Sequence, residues 1–241
     1  RWPYSCTKYE QLPVYSSYVG GVVGKLYGTL DNVKNAGKVT GIATYAAGVA
    51  AYAYQGSRLN KVVNSGVVTS SAANVAGIAA YVYENVEFND CKNEGSLSSS
   101  VATGYVGGIA SYALPGKYIG CENNGDINGG SSAGIVANCA GKANSGTYLF
   151  ENCINNGDIT GNGILGGITA AQGATAGNNV CVYDGCENYG DIIATATAAV
   201  SSSSMAGIAA FYSAGSTFNS CSNFGNVINT KSVYTAGITG Y

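Results

Sequence analysis

The sequence predicts an all-β fold, a right-handed parallel β-solenoid of about seven repeats of ~30 residues each. Three observations predict it. A motif of Cys or Val, then x-Asn-x-Gly-x, then Ile, Val or Leu recurs seven times. A second motif, Gly or Ala followed by Gly and Ile or Val, recurs eight times and alternates strictly with the first. Glycine and β-branched residues interrupt the chain too often for the long 3.6-residue periodicity that helical repeats require.

The first motif starts as Val33-Lys34-Asn35-Ala36-Gly37-Lys38-Val39 and Val62-Val63-Asn64-Ser65-Gly66-Val67-Val68. It continues with cysteine in the first place, as Cys91…Asn93…Gly95…Leu97 and Cys121…Asn123…Gly125…Ile127. The last three copies are Cys153…Asn155…Gly157…Ile159, Cys186…Asn188…Gly190…Ile192 and Cys221…Asn223…Gly225…Val227. Their glycines are 29, 29, 30, 32, 33 and 35 residues apart. The second motif runs from Gly20-Gly21-Val22 through Ala76-Gly77-Ile78 and Gly107-Gly108-Ile109 to Ala236-Gly237-Ile238. Fifteen ordered matches in 241 residues do not arise by chance. Propeller blades are usually longer, about 40 residues or more. Alternation such as Ile78-Ala79-Ala80-Tyr81-Val82-Tyr83 suits a strand. Each turn is therefore expected to hold two or three short strands joined by Gly- and Asn-rich corners. Residues 1–17 are non-repetitive and are expected to form an N-terminal segment or cap, with the solenoid over 18–241 as a single domain.

Stacked turns about 4.8 Å apart place like residues above one another, and seven turns give a body about 35 Å long. Cys91, Cys121, Cys153, Cys186 and Cys221 form one expected inward ladder, with Val33 and Val62 filling it earlier. Ile78, Ile109, Ile135, Ile168, Ile208 and Ile238 form another. Asn93, Asn123, Asn155, Asn188 and Asn223 stack as an amide ladder. The motif glycines either take a positive φ at corners or let turns approach closely. Ser/Thr/Ala-rich inserts such as Thr195 to Ser204 absorb the spacing changes.

Composition narrows the function. Charged residues number 11 basic and 13 acidic, about 10% of the chain, and the net charge of −2 gives no case for nucleic acid or an anionic membrane. Histidine is absent, which removes Ser-His-Asp and Cys-His catalysis and His-ligated metals from this chain. No apolar run approaches the roughly 20 residues of a membrane span. The start at Arg1-Trp2-Pro3-Tyr4 has no initiator Met and no signal-peptide core, so a processed or excised piece of a longer precursor is expected. The eight cysteines include no CxxC pair, and the abundance of Tyr, Ser, Thr, Asn and Gly points outside the cell.

The alternation of Gly20–Gly24-like segments with Cys153-Ile154-Asn155-Asn156-Gly157-Asp158-Ile159-like segments resembles the GLUG-motif repeats of bacterial surface proteins. It is also similar to the wider Cys-Asn-Gly repeats of secreted gut-bacterial proteins. The resemblance covers roughly residues 18–241, although several copies carry Ala for the first Gly and Val for Cys. It implies an adhesin-like or surface-displayed stalk, with no catalytic residues to carry over.

Three sets of residues are candidate sites. Asp126, Asp158 and Asp191 share one repeat position, about 5 Å apart in register, where a cation such as Ca²⁺ could bridge them. The alternative is a solvated acidic column, and neighbouring repeats carry Ser96 and Asn226 there. Tyr52, Tyr81, Tyr112 and Phe211 follow the Gly-Ile segment at one spacing, as an exposed column that could stack on sugars or pack on a partner. The alternative is that they cover a face of the solenoid. The cysteine ladder reads as free buried thiols or as disulfides between turns, and Cys6, Cys139 and Cys181 lie outside it with open connectivity.

The resulting expectation is a non-enzymatic, secreted or cell-surface structural or adhesive module, with filament formation through open solenoid ends. Its expected partners are other subunits, further repeats of the same chain, or host or bacterial glycans. The alternatives are a carbohydrate-binding module using the aromatic column, a polysaccharide-degrading β-helix and, more remotely, an ice-binding solenoid.

Overall fold

Glycine, asparagine and positive-φ corners cut the chain into strands of two to five residues, each paired in parallel with its counterpart one turn away. A computed structural model describes residues 17–42, 44–71, 73–141, 146–172, 179–195, 204–229 and 234–240. The expected cap at residues 1–17 lies, except for Ser17, outside the described residues, as do Cys6 and most of the Thr195–Ser204 insert.

The described chain is all β and forms a parallel β-solenoid of about six complete turns, ~30 residues apart. Each turn contributes five strands rather than two or three. In one central turn these are Tyr105–Gly107, Ala110–Ala113, Lys117–Ile119, Glu122–Asn123 and Ile127–Gly129. They belong in that order to five parallel sheets, here called the first to the fifth, of eight, six, seven, seven and seven strands. The second sheet has six strands because its seventh and eighth passes survive only as the bridges Thr169↔Ala209 and Ala209↔Thr239.

Register is kept from turn to turn. Val68 pairs with Val39 and Leu97, and Ile159 with Ile127 and Ile192. Each insertion that changes repeat length is therefore expelled into a corner, not carried into a sheet.

The interior holds two large hydrophobic clusters and a small third one of Ala47, Ala76 and Ala80. The largest holds the motif isoleucines (Ile78, Ile109, Ile135, Ile168, Ile208), the cysteine column and the third-sheet residues. The second packs the fifth sheet (Val39, Val68, Leu97, Ile127, Ile159, Ile192) against the first (Ala46, Val75, Val106, Leu165, Met205). The asparagine ladder of the fourth sheet meets the glycines of the second motif between these two. A Cβ on Gly77, Gly108, Gly134 or Gly167 would overlap the carboxamide of Asn93, Asn123, Asn155 or Asn188 respectively. The two sequence motifs alternate because they face each other across the turn.

The glycines of the first motif act by close approach, not by φ. A Cβ on Gly95 would come closer than 3.0 Å to the carbonyl oxygen of Gly66, one turn earlier, and Gly125, Gly157 and Gly190 repeat this. Positive φ falls instead on the residue before each Cys or Val: Asn32, Lys61, Asp90, Gly120, Asn152, Gly185 and Ser220, at φ 50° to 61°.

Candidate functional site

The asparagine ladder is continuous from Asn35 to Asn223. Each carboxamide donates one N–H to the next turn's Oδ1, at 2.9, 2.9, 2.8, 2.8, 2.7 and 2.7 Å in order. Its other N–H reaches the carbonyl of its own motif glycine, for example Asn123 Nδ2 to Gly125 O at 2.9 Å. Asn64, Asn93, Asn123, Asn155 and Asn188 are wholly buried, so each donor is matched where water cannot enter.

The cysteines are free thiols among the described residues, and Cys91, Cys121, Cys153 and Cys186 are buried while Cys221 is half-exposed. Each ladder thiol from Cys91 to Cys186 points at a carbonyl of the preceding turn, as Cys153 does at Tyr118 O, 3.2 Å. Burial pushes the thiols of Cys121, Cys139 and Cys153 well up.

A second internal column escaped the sequence reading. Leu30, Leu59, Phe88, Tyr118, Phe150, Tyr183 and Phe218 sit in register on the third sheet, three residues before each Val or Cys. The rings from Phe88 to Phe218 stack at centroid separations of 4.9, 5.1, 5.1 and 4.6 Å. The constant spacing Leu/Phe/Tyr-x-x-Val/Cys was the available signal.

Tyr52, Tyr81 and Tyr112 are in register on the second sheet and half-buried. Their rings lie on one another, 4.6 and 5.1 Å apart and within 14° of parallel. Tyr45 of the first sheet meets Tyr81 edge-on at 5.3 Å. Burial, with the neighbouring phenols, pushes the Tyr81 hydroxyl up to about 12 and raises that of Tyr52 as well. Phe211 continues the column position but not the stack: Asn138 and Ala171 occupy the intervening turns. A column with one ring per turn turns its ring faces towards its own members, so solvent meets edges and hydroxyls.

Asp126, Asp158 and Asp191 are brought into one column. Asp126 Oδ1 accepts the Asp158 amide at 3.1 Å, Asp158 Oδ1 that of Asp191 at 2.9 Å, and Asp191 Oδ1 that of Asn226 at 2.8 Å. Each carboxylate thus binds the next turn's backbone, which accounts for Asp at this position without an ion. No group of three or more Cys, Asp or Glu placed to hold a metal occurs among the described residues.

Four of the remaining acid–base contacts pair opposite charges between turns. Glu87 sits between Arg58 and Lys117 on adjacent turns, at 3.1 and 3.0 Å, and Lys92 pairs with Glu122 at 2.6 Å. Lys117 holds the Glu87 carboxyl below its usual range, and Lys92 does the same for Glu122. No helix among the described residues is long and apolar enough to cross a membrane. Set against protein-family models, curated proteins and solved structures, the chain matches none.

Proposed function

We propose that this chain is a secreted or cell-surface scaffold, structural or adhesive in role, that extends end to end into filaments. The observation that carries the reading is axial continuity: six consecutive amide-to-amide bonds join all seven motif asparagines into one column. Each turn is fixed to its neighbours by this buried ladder and by five parallel sheets, so the body resists bending and holds its outward residues at a spacing of about 4.8 Å. A stalk or adhesive surface needs that property. The low charge, the Ser/Thr/Asn/Tyr-rich composition and the resemblance to bacterial surface repeats support an extracellular setting. Pairing keeps its register through the outermost described strands, such as Val227–Ile228 on Ile192–Ala194, so a further turn from this or another chain would add without rearrangement.

A carbohydrate-binding module is less favoured, because sugar stacking needs open aromatic faces and Tyr52, Tyr81 and Tyr112 cover one another. Electron microscopy of the purified chain over a range of concentrations, alongside a glycan array, separates the two. Rods that lengthen with concentration and an empty array support the scaffold. Compact particles at every concentration with saturable binding to one glycan overturn it.

A further inference from the structure

The tyrosine network on the outer surface does not end at Tyr52. Tyr54 lies 4.5 Å from Tyr52, and Tyr27 stacks on Tyr54 with centroids 3.8 Å apart and ring planes 20° from parallel. This is the shortest ring separation among the described aromatic pairs. Leu26 and Ala53 are register partners, so Tyr27 and Tyr54, the next residues, hold one position on adjacent turns. The two rings overlap face to face at this distance, which puts each phenol within reach of the other's ortho carbons. Tyr27 is 69% exposed and its ring can swing, whereas Tyr54 is half-buried.

We propose that Tyr27 and Tyr54 form an intrachain dityrosine when a haem peroxidase acts on the chain with hydrogen peroxide as the oxidant, stapling two turns of the solenoid. Each phenol gives one hydrogen atom, an electron with its proton, to the oxidant. The two phenoxyl radicals join by a new C–C bond between ortho carbons, and the hydrogens on those carbons shift to the oxygens. The balance is two tyrosines and one hydrogen peroxide going to one dityrosine and two waters. A radical formed on Tyr112 or Tyr81 can pass from ring to ring along the stack, at steps of 5.1, 4.6 and 4.5 Å, until it reaches Tyr54. Coupling ends the migration where two phenols lie closest and one is free to turn. Among the described residues, other tyrosines lack one of these conditions. Tyr118, Tyr148 and Tyr183 are wholly buried, and Tyr189 stacks on Phe224, which has no phenol to couple.

The test is treatment of the dilute full chain with a haem peroxidase and hydrogen peroxide, read by dityrosine fluorescence and by mass spectrometry after trypsin. The expected product links fragments 26–34 and 39–58 within one chain and is two hydrogens lighter than their sum. Tyr27→Phe keeps the ring and its packing, shown by an unchanged circular dichroism spectrum, and loses this product. Tyr189→Phe leaves its yield unchanged. A linked pair that excludes Tyr27 or Tyr54, product only between chains, or an undiminished yield in Tyr27→Phe overturns the proposal.

Discussion

Replacing Asn123 with alanine tests the buried ladder at its centre. Asn123 takes part in three side-chain hydrogen bonds: to Gly125 O at 2.9 Å, to Asn155 Oδ1 at 2.8 Å, and from Asn93 Nδ2 at 2.8 Å. Alanine leaves one Asn93 N–H, the Gly125 carbonyl and the Asn155 Oδ1 without that partner, all in a region with no exposed surface. A buried polar group stripped of its partner costs about 1–3 kcal/mol, so three at the lower half of that range give about 3–6 kcal/mol. Urea unfolding followed by far-ultraviolet circular dichroism should show a lower midpoint with little change in slope. Hydrogen exchange should place the loss in the two flanking turns, since repeat units couple to nearest neighbours. Asn124→Ala is the control: its exposed Oδ1 accepts a bond from Asn156 at 2.7 Å, and the change should stay within about 0.5 kcal/mol. A cost for Asn123→Ala below about 1 kcal/mol, or no larger than the control, refutes the claim that the ladder holds the turns together.

Gly95→Ala should destabilise by about 1–3 kcal/mol in the same assay, because its Cβ has no room against the Gly66 carbonyl. Lys61→Val should lose about 1–2 kcal/mol, since φ at Lys61 is 51° and a β-branched residue fits that region poorly. Cys121→Val should cost less than about 1.5 kcal/mol, because Val62 already fills the same column, and native Cys121 should resist alkylation until the chain is unfolded. The Glu87 and Glu122 carboxyls titrate below their ordinary range, so their stabilisation is present above about pH 4.3 and is lost as pH falls through the lower folded values. With the partner cations about half exposed, each pair contributes only about 0.2–1 kcal/mol, and the stability difference between the native chain and Glu87→Gln should shrink as pH falls below that value.

The sequence was most informative where one residue type repeats at one position. The Asn and Gly columns could be read directly, because only a carboxamide fills both hydrogen-bond directions and only glycine fits beside a neighbouring carbonyl. The third-sheet column was harder to see because Leu59, Phe88 and Tyr118 differ in chemistry while sharing a place. The five-strand turn was illegible for a related reason. Its extra corners sit on residues as unlike as Lys61, Asp90 and Ser220, and positive φ there follows from stacking on the turn below rather than from local preference. For Tyr52, Tyr81 and Tyr112, alternation gave the side of the sheet but not the ring orientation. Columns also changed the reading of charge. Like charges repel along the axis: Arg58–Glu87–Lys117 alternates them, whereas the Asp126–Asp158–Asp191 column stacks them and sets backbone N–H donors against each carboxylate.

In-register stacking is most directly tested by deletion. Removing residues 94–123 takes out one 30-residue step, joins Asn93 to Asn124, and lets Asn93 meet Asn155 in the ladder. The shortened chain should keep the β-sheet spectrum and unfold cooperatively, whereas removing only 94–108 breaks every column at that junction and should leave the flanking turns unprotected from hydrogen exchange. Equal loss of structure in both deletions would contradict the account.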